Sequence, residues 1–236
     1  MRVMAMAPVL DEESKIGPVV SRMPRDVVDL VLVVDDGSTD RSPEVARANG
    51  AEVISLGRTM GVGAAIRAGF DRALAEGYDV VVVVAGNNKD APEEIPRLLD
   101  AIVNGADLAQ GSRYLAREST DFGDMPAYRR LATRIHPWLF SAFTGHKMTD
   151  TTNGFRAVSA TLLKDPQLEL GQNWLDQYEL EVYLLYQAVK LGHQVVEVPV
   201  TKIYPPKQLG QTKMRPITGW WSILRPLFLL RLGVRN

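Results

Sequence analysis

The stretch Val33-Val34-Asp35-Asp36-Gly37-Ser38-Thr39-Asp40 guides the interpretation of the whole chain. Residues 30–34 form a short, uninterrupted, β-branched run, which predicts a buried strand. Ser42-Pro43-Glu44 follows and predicts a helix that begins with the serine as its N-cap. Asp35 and Asp36 are therefore expected on a strand-to-helix loop, at the sheet edge where open α/β folds bind ligands. Taken alone, the Asp-Asp-Gly sequence is explained equally well by ligand binding and by an Asp-Gly turn followed by a helix cap.

Composition limits the classes of function. The chain has 236 residues, no cysteine and three histidines, which excludes disulfides and thiolate zinc sites and makes an all-histidine metal site unexpected. The net charge of −1 indicates no general affinity for nucleic acid. We find no signal peptide before Asp11-Glu12-Glu13 and no uncharged apolar run of about 20 residues. We therefore expect a cytoplasmic protein.

The basic residues are unevenly distributed. No acidic residue follows Glu197, whereas several lysines and arginines do, and residues 126–147 are also basic and free of acids. Basic segments in a nearly neutral protein indicate an anionic partner on one face.

Apolar runs and helix signals alternate along the first half. Strands are predicted at 3–8, 30–34, 52–56, 78–84 and 107–110, with helical segments between them. The helix that opens at Gly61-Val62-Gly63 has small residues, which would allow close approach to a phosphate or, more simply, to another helix. This pattern predicts an α/β fold with a mostly parallel sheet flanked by helices.

The second half has a different character. Residues 128–143 are predicted as a basic amphipathic helix, 150–156 as a polar, turn-rich segment, 175–191 as a helix and 194–203 as a strand. The tail at 213–236 is apolar but contains arginines. This pattern favours a helix in a membrane interface, and the alternative is a helix packed on the domain or in a homodimer interface.

The order of these motifs resembles the family 2 glycosyltransferases with the GT-A fold. The resemblance rests on VVDDGSTD, GVGAAIRAG, GSRY, TNGFRA and GHQVVEVPV and covers nearly the whole chain. Gly111-Ser112-Arg113, Asn153-Gly154-Phe155-Arg156 and Lys213-Met214-Arg215 are most similar to dolichol- and polyprenyl-phosphate sugar transferases. The resemblance implies one GT-A domain over 1–212, with a nucleotide-sugar half (1–115) and an acceptor half (116–212), followed by the tail.

The resemblance also implies roles for individual residues. Those expected to bind the nucleotide sugar are Pro8, Val9, Glu12, Asp36, Gly61, Asn87, Lys89 and Arg113. Those expected to bind the acceptor are Asn153, Arg156, Lys213 and Arg215. Those expected in catalysis are Asp176, Glu179 and Arg156. For both arginines the alternative is a structural salt bridge, and for the two acids it is a solvated helix N-terminus.

The family's DxD motif, whose carboxylates hold a divalent metal on the donor pyrophosphate, is replaced here by Ala85-Gly86-Asn87. Two other arrangements could bind the donor pyrophosphate in place of this motif. Asn88 and Asp90 could form a displaced site for Mg²⁺ or Mn²⁺. Alternatively, Lys89 could place its positive charge directly against the pyrophosphate. A third interpretation is a protein that no longer catalyses transfer.

The implied function is inverting transfer of a sugar from a UDP- or GDP-linked donor to a polyprenyl phosphate at the cytoplasmic membrane face. Such a phosphate is already ionised and needs no general base, whereas a hydroxyl acceptor would use Asp176 or Glu179. Two alternatives stay open. One is a soluble transferase that glycosylates a small hydroxyl acceptor, and the other is a non-catalytic protein that binds nucleotide sugars.

Overall fold

The computed structural model of the chain describes residues 1–115, 127–204 and 218–234. Within these residues the chain forms seven strands and eight α-helices. The strands are β1 (Val3–Val9), β2 (Leu30–Asp35), β3 (Glu52–Ser55), β4 (Val80–Val83), β5 (Leu108–Ser112), β6 (Arg156–Ser159) and β7 (Val195–Pro199). The helices are α1 (Glu13–Ser21), α2 (Ser42–Ala48), α3 (Val62–Ala75), α4 (Ile95–Val103), α5 (Ala127–Thr144), α6 (Ala160–Leu163), α7 (Glu179–Lys190) and α8 (Thr218–Arg231).

The strands form one sheet in the order β3-β2-β1-β4-β6-β5-β7. All neighbouring pairs are parallel except those of β6, which runs antiparallel between β4 and β5. The predicted mostly parallel α/β sheet is therefore confirmed. The strand order reverses between β1 and β4, and open α/β sheets bind ligands beyond the carboxyl ends of the strands at such a point.

Alternating side chains of the central strands bury both faces of the sheet. On one face Met4, Met6 and Val34 pack with α3 and α7, and on the other Ala5 and Val33 pack with α1 and α4. β4 is buried along its whole length. This two-sided burial explains why the central strands are continuous apolar runs, as predicted for residues 30–34 and 78–84.

Several predicted boundaries need correction. β6 lies at the end of the segment that we predicted as polar turns, because four residues of the pattern Arg-Ala-Val-Ser give no strand signal. The helix predicted over 175–191 begins at Glu179, after a 3-10 turn at Asn173–Leu175. Ser42 is the first residue of α2 and not its N-cap; its N–H donates to the Asp40 carboxylate at 2.9 Å.

The two glycines that open α3 allow a close backbone contact. A β-carbon on Gly61 would collide with the carbonyl oxygen of Asp176, and one on Gly63 would collide with that of Leu175. The N–H of Ala64 donates to the Asp176 carbonyl at 3.1 Å. The interpretation of these small residues as a packing feature is thus confirmed, and the contact holds the start of α3 against the turn before α7.

Both predicted internal boundaries, at 115/116 and 212/213, fall at the edge of or inside segments outside the described residues. Among the described helices, none combines the length and the apolar character needed to cross a membrane.

Candidate active site

A cavity of about 580 Å³ opens at the carboxyl ends of β1, β2 and β4. We call the wall formed by the loops after β1 and β2 and the start of α3 the nucleotide side. The opposite wall, formed by Thr152, Gly154, the start of α7, Lys202 and α8, is the acceptor side; Asn153, which we predicted to bind the acceptor, does not line the cavity. All the residues that we predicted to bind the nucleotide sugar line this one cavity. They are Pro8, Val9, Glu12, Asp36, Gly61, Asn87, Lys89 and Arg113.

Asp35 and Asp36 have different surroundings although they are adjacent. The Asp36 carboxylate lines the cavity and accepts hydrogen bonds from the backbone N–H groups of Met60 (2.7 Å) and Gly61 (2.9 Å). Burial raises the pKa of Asp36 above its ordinary value. Burial also acts on Asp35, but hydrogen bonds from Ser38 and Ser55 hold its pKa below the ordinary value. Asp35 therefore fixes the loop, and Asp36 faces the ligand space.

The displaced metal site predicted at Asn88 and Asp90 needs correction. Asn88 adopts a left-handed backbone conformation (φ 59°), and its amide oxygen accepts a hydrogen bond from Arg22 at 2.6 Å. The Asp90 carboxylate is buried and binds the Lys202 ammonium and the backbone N–H of Ala85. Neither of the two residues lines the cavity. In the described parts of the chain, no three His, Asp or Glu side chains are grouped so that they could hold a metal ion.

Arg113 forms the structural salt bridge that we considered as its alternative role. Its Nε and Nη2 atoms donate to the two carboxylate oxygens of Asp150 at 2.6 and 2.7 Å, and Nη1 donates to the Tyr204 hydroxyl at 2.7 Å. Burial alone would lower the pKa of Arg113, but the adjacent Asp150 raises it, and the arginine in turn holds the pKa of Asp150 low. The pair lies at the cavity wall, so a phosphate contact by Arg113 stays a prediction.

The acidic residues near α7 are arranged differently from our prediction. Asp176 pairs with Arg67 at 2.5 Å, and Glu179 is buried, where desolvation raises its pKa. Neither side chain lines the cavity; Glu181 does, and its carboxylate lies 3.1 Å from Arg156. The prediction that Asp176 and Glu179 are the acidic residues of the site therefore needs correction, because the acid of this region that lines the cavity is Glu181. The sequence does not show which acidic residue of α7 faces the cavity, because α7 is apolar on most of its surface and its amphipathic pattern is weak.

Arg156 is buried behind the cavity wall and not on it. Its Nη1 donates to the Glu181 carbonyl at 3.0 Å, and its Nη2 donates to the Asn153 carbonyl at 2.8 Å. Burial lowers the pKa of Arg156. Arg156 thus positions Glu181 and the loop that carries Thr152 and Gly154, which do line the cavity. The predicted acceptor residues Lys213 and Arg215 lie outside the described residues.

Lys202 is a site residue that our sequence reasoning missed. It is 8% exposed, lines the cavity, and donates to the carboxylate of Asp90 and to the amide oxygen of Asn153 (3.0 Å). A signal existed in the sequence: Lys202 continues the inward alternation of Val198 and Val200, which places a lysine on a buried face.

Comparison with known proteins agrees with this geometry. The family model described as glycosyl transferase family 2 matches residues 10–165. The chain belongs to glycosyl transferase family 2. The matched region of this family 2 chain begins in the loop after β1 and ends after α6, so it contains the nucleotide side of the cavity.

Curated relatives match almost the whole family 2 chain. Polyprenol monophosphomannose synthase of Mycolicibacterium smegmatis is 35% identical over 90% of this chain and 81% of its own length. Undecaprenyl-phosphate mannosyltransferase of Micrococcus luteus is 34% identical over 91% of this chain and 88% of its own. Dolichyl-phosphate hexose transferase of Haloferax volcanii is 32% identical over 90% and 86%, respectively.

Solved structures show the fold. Glucosyl-3-phosphoglycerate synthase of Mycobacterium tuberculosis in complex with UDP aligns with a TM-score of 0.73 and 21% identity, over 100% of this chain and 81% of its own. The complex of the same enzyme with Mn²⁺, UDP and phosphoglyceric acid also has a TM-score of 0.73, at 21% identity, over 100% and 80%. The predicted GT-A fold is therefore confirmed.

Proposed function

We propose that this family 2 chain transfers a hexose from a nucleoside-diphosphate sugar to a polyprenyl phosphate, with inversion at the anomeric carbon. The observation that carries the donor part is the convergence of all eight predicted nucleotide-sugar residues on one cavity. The acceptor part rests on relatives at 32–35% identity that are named for polyprenol-, undecaprenyl- and dolichyl-phosphate substrates.

The chemistry follows from the charges of the substrates. An oxygen of the lipid phosphate attacks the anomeric carbon while the bond from that carbon to the donor's β-phosphate oxygen breaks. No proton has to move, because the attacking phosphate is already ionised. The negative charge that develops on the leaving diphosphate is stabilised by cationic side chains of the cavity wall. Lys15, Lys89, Lys202 and Arg113 supply these charges.

Structural relatives were solved with Mn²⁺ or Mg²⁺ bound. In this chain the residues do not fit such an ion, because hard divalent cations take several oxygen ligands and usually carboxylates. On the loop after β4, Asn87 lines the cavity, and its amide oxygen is buried. The proposed transfer therefore uses no metal ion.

A membrane surface beside the cavity suits a lipid acceptor. Ser222 and Ile223 of α8 line the cavity, while Trp221 on the same helix is 59% exposed. On α5, which contacts α8 through Phe143 and Phe228, an exposed stripe of Leu131, Ile135 and Trp138 has helical spacing. We propose that this face of α5 and α8 lies in a membrane interface. A cytoplasmic location and a homodimer stay predictions.

The test of the function is transfer from UDP- and GDP-linked hexoses by the purified protein. We expect labelled lipid when polyprenyl phosphate is present and none when the matched unphosphorylated polyprenol replaces it. Sugar transfer to a small hydroxyl compound in the absence of lipid would contradict the proposed acceptor. Nucleotide binding without transfer to any acceptor would indicate the non-catalytic alternative.

The membrane contact has a separate test. In sedimentation with anionic vesicles, the double variant Trp138→Ser/Trp221→Ser should bind several-fold more weakly than the unaltered protein, because two interfacial aromatic rings are lost. Val103→Ser, at an exposed apolar residue on α4, is the matched control. Equal binding by all three proteins would remove this face from the proposal.

A further inference from the structure

The loop after β4 presents no carboxylate to the cavity. Its acid, Asp90, is 1% exposed and has both oxygens occupied, by the Lys202 ammonium and by the backbone N–H of Ala85 (2.9 Å). Asn88 is held by Arg22. The side-chain oxygen that remains on this loop is the neutral amide Oδ1 of Asn87, which is buried and has no hydrogen-bond partner among the described residues.

The other carboxylates of the cavity wall are also engaged. Glu12 pairs with Lys15 at 2.6 Å, Glu181 pairs with Arg156 at 3.1 Å, and Asp36 accepts two backbone N–H groups. They lie on different elements of the fold and do not converge on the loop after β4. A divalent cation there would find one neutral side-chain oxygen and no free carboxylate, in a cavity whose wall also carries the ammonium groups of Lys89 and Lys202, which repel it.

Lys89 and Lys202 lie on two segments that are paired by backbone hydrogen bonds. Asp90 and Lys202 form an antiparallel bridge, and the N–H of Ile203 donates to the carbonyl of Lys89 at 2.8 Å. This pairing ties the loop after β4 to the chain after β7, and the side chains of Lys89 and Lys202 both line the cavity. The position of the missing DxD motif is therefore followed by Lys89, whose backbone is paired with the segment that carries Lys202.

We propose that the ammonium groups of Lys89 and Lys202 stabilise the donor diphosphate in place of a divalent metal ion, so that donor binding and sugar transfer proceed without a metal. The inference rests on the proposed function. Lys202 is nearly buried, so its charge acts with little solvent screening and costs little reorganisation when the leaving group forms. Asp90 is a positioning residue, since its carboxylate and the Asn153 amide oxygen fix the orientation of the ammonium.

The experiment is calorimetric titration of the full chain with UDP and GDP, once with EDTA and once with Mn²⁺. UMP and GMP are titrated in parallel, because they keep the base and ribose contacts but lack the β-phosphate. The variants are Lys89→Met and the double variant Asp90→Asn/Lys202→Met, which removes both charges of the buried pair together and leaves no unpaired buried ion. Lys164→Met, at an exposed lysine of the short turn after α6, controls for the loss of one positive charge in Lys89→Met.

We expect the unaltered protein to bind one diphosphate with affinities in EDTA and in Mn²⁺ that agree within about threefold. Both test variants should lose about tenfold or more in diphosphate affinity, and their monophosphate affinity should stay unchanged within about twofold. The Lys164→Met control should match the unaltered protein.

Three results would overturn the inference. Diphosphate binding that requires Mn²⁺ would refute it and leave the proposed transferase function intact. Variants that bind the diphosphate as tightly as the unaltered protein would likewise refute it alone. If neither UDP nor GDP binds in EDTA or in Mn²⁺, the inference and the donor half of the proposed function are refuted together.

Discussion

The two sides of the cavity are built by different kinds of contact. On the nucleotide side, Asp36 is held by backbone N–H groups about 25 residues away, and Glu12 pairs with Lys15 one helical turn later. On the acceptor side, Lys202 contacts Asp90 across 112 positions and Asn153 across 49. Contacts across about 25 residues or fewer therefore hold Asp36 and Glu12 on the nucleotide side, whereas the acceptor side exists only once more distant segments have packed.

The largest expected effect concerns the buried ion pair that supports the acceptor side. Arg113→Met leaves the Asp150 carboxylate buried and unpaired, which should lower the free energy of unfolding by about 3–5 kcal/mol. Urea denaturation measures this loss. The double variant Arg113→Met/Asp150→Asn should recover part of the stability, because it removes both charges; a double variant as unstable as the single one would contradict this account.

The second effect is a dependence of stability on pH, also from the acceptor side. His136 lies on α5 and is buried against α8. Its Nε2 donates to the Ile223 carbonyl, and its Nδ1 accepts from the Thr151 hydroxyl. Burial lowers the pKa of His136 to about 4, although the hydrogen bond to the Ile223 carbonyl and the charge of Asp150 oppose this shift. The unfolded chain therefore takes up a proton on His136 at a higher pH than the folded protein does.

The contribution of the neutral His136 to the free energy of unfolding is therefore fully present above pH 6.5. It is lost as the pH falls towards 4, by up to about 3 kcal/mol at the low end. Denaturation at pH 7 and at pH 4.5 should reveal the loss. In His136→Gln this part of the pH dependence should disappear. A variant with an unchanged pH profile would show that another group is responsible.

The third effect separates two neighbouring residues of the nucleotide side. Asp36→Asn should weaken binding of the nucleoside diphosphate about tenfold, since its carboxylate faces the cavity. Asp35→Asn should lower the stability and leave the affinity nearly unchanged, because its partners are Ser38 and Ser55. Calorimetry and thermal unfolding of both variants distinguish the two roles; equal losses of affinity would contradict the distinction.

The smallest effect tests which acid faces the acceptor. Glu181→Gln should lower turnover by up to about tenfold, since one charged contact in the cavity is lost. Glu179→Gln should leave turnover unchanged, because Glu179 does not line the cavity. Steady-state transfer rates of the two variants decide the matter, and a larger loss for Glu179→Gln would restore our original assignment.

The contrast between the two sides also explains what the sequence could predict. The β-branched run before Asp35 and the turn after it are local signals, so the strand, the loop and the placement of Asp36 on the cavity followed from them. The glycines at 61 and 63 were likewise interpreted correctly as packing residues.

The acceptor side was predicted less well, for physical reasons. β6 is too short to have a periodicity, and the phase of α7 is hidden by its apolar surface, so Glu181 was not chosen. The occupation of Asp90 by Lys202 depends on a contact between two loops that no local pattern encodes. Resemblance to a family indicated Arg156, but not that it acts from behind the wall.

The antiparallel strand β6 has a consequence for the order in which the chain can assemble. β5 has no hydrogen-bonded neighbour in the sheet except β6 and β7, although it is made before both of them. During synthesis, β1 to β4 can therefore pair as soon as they emerge, while β5 must wait for about forty further residues. The pairing of β1 to β4 can thus be complete on a nascent chain before the acceptor wall exists, whereas the start of α3 gains its contact with Asp176 only later.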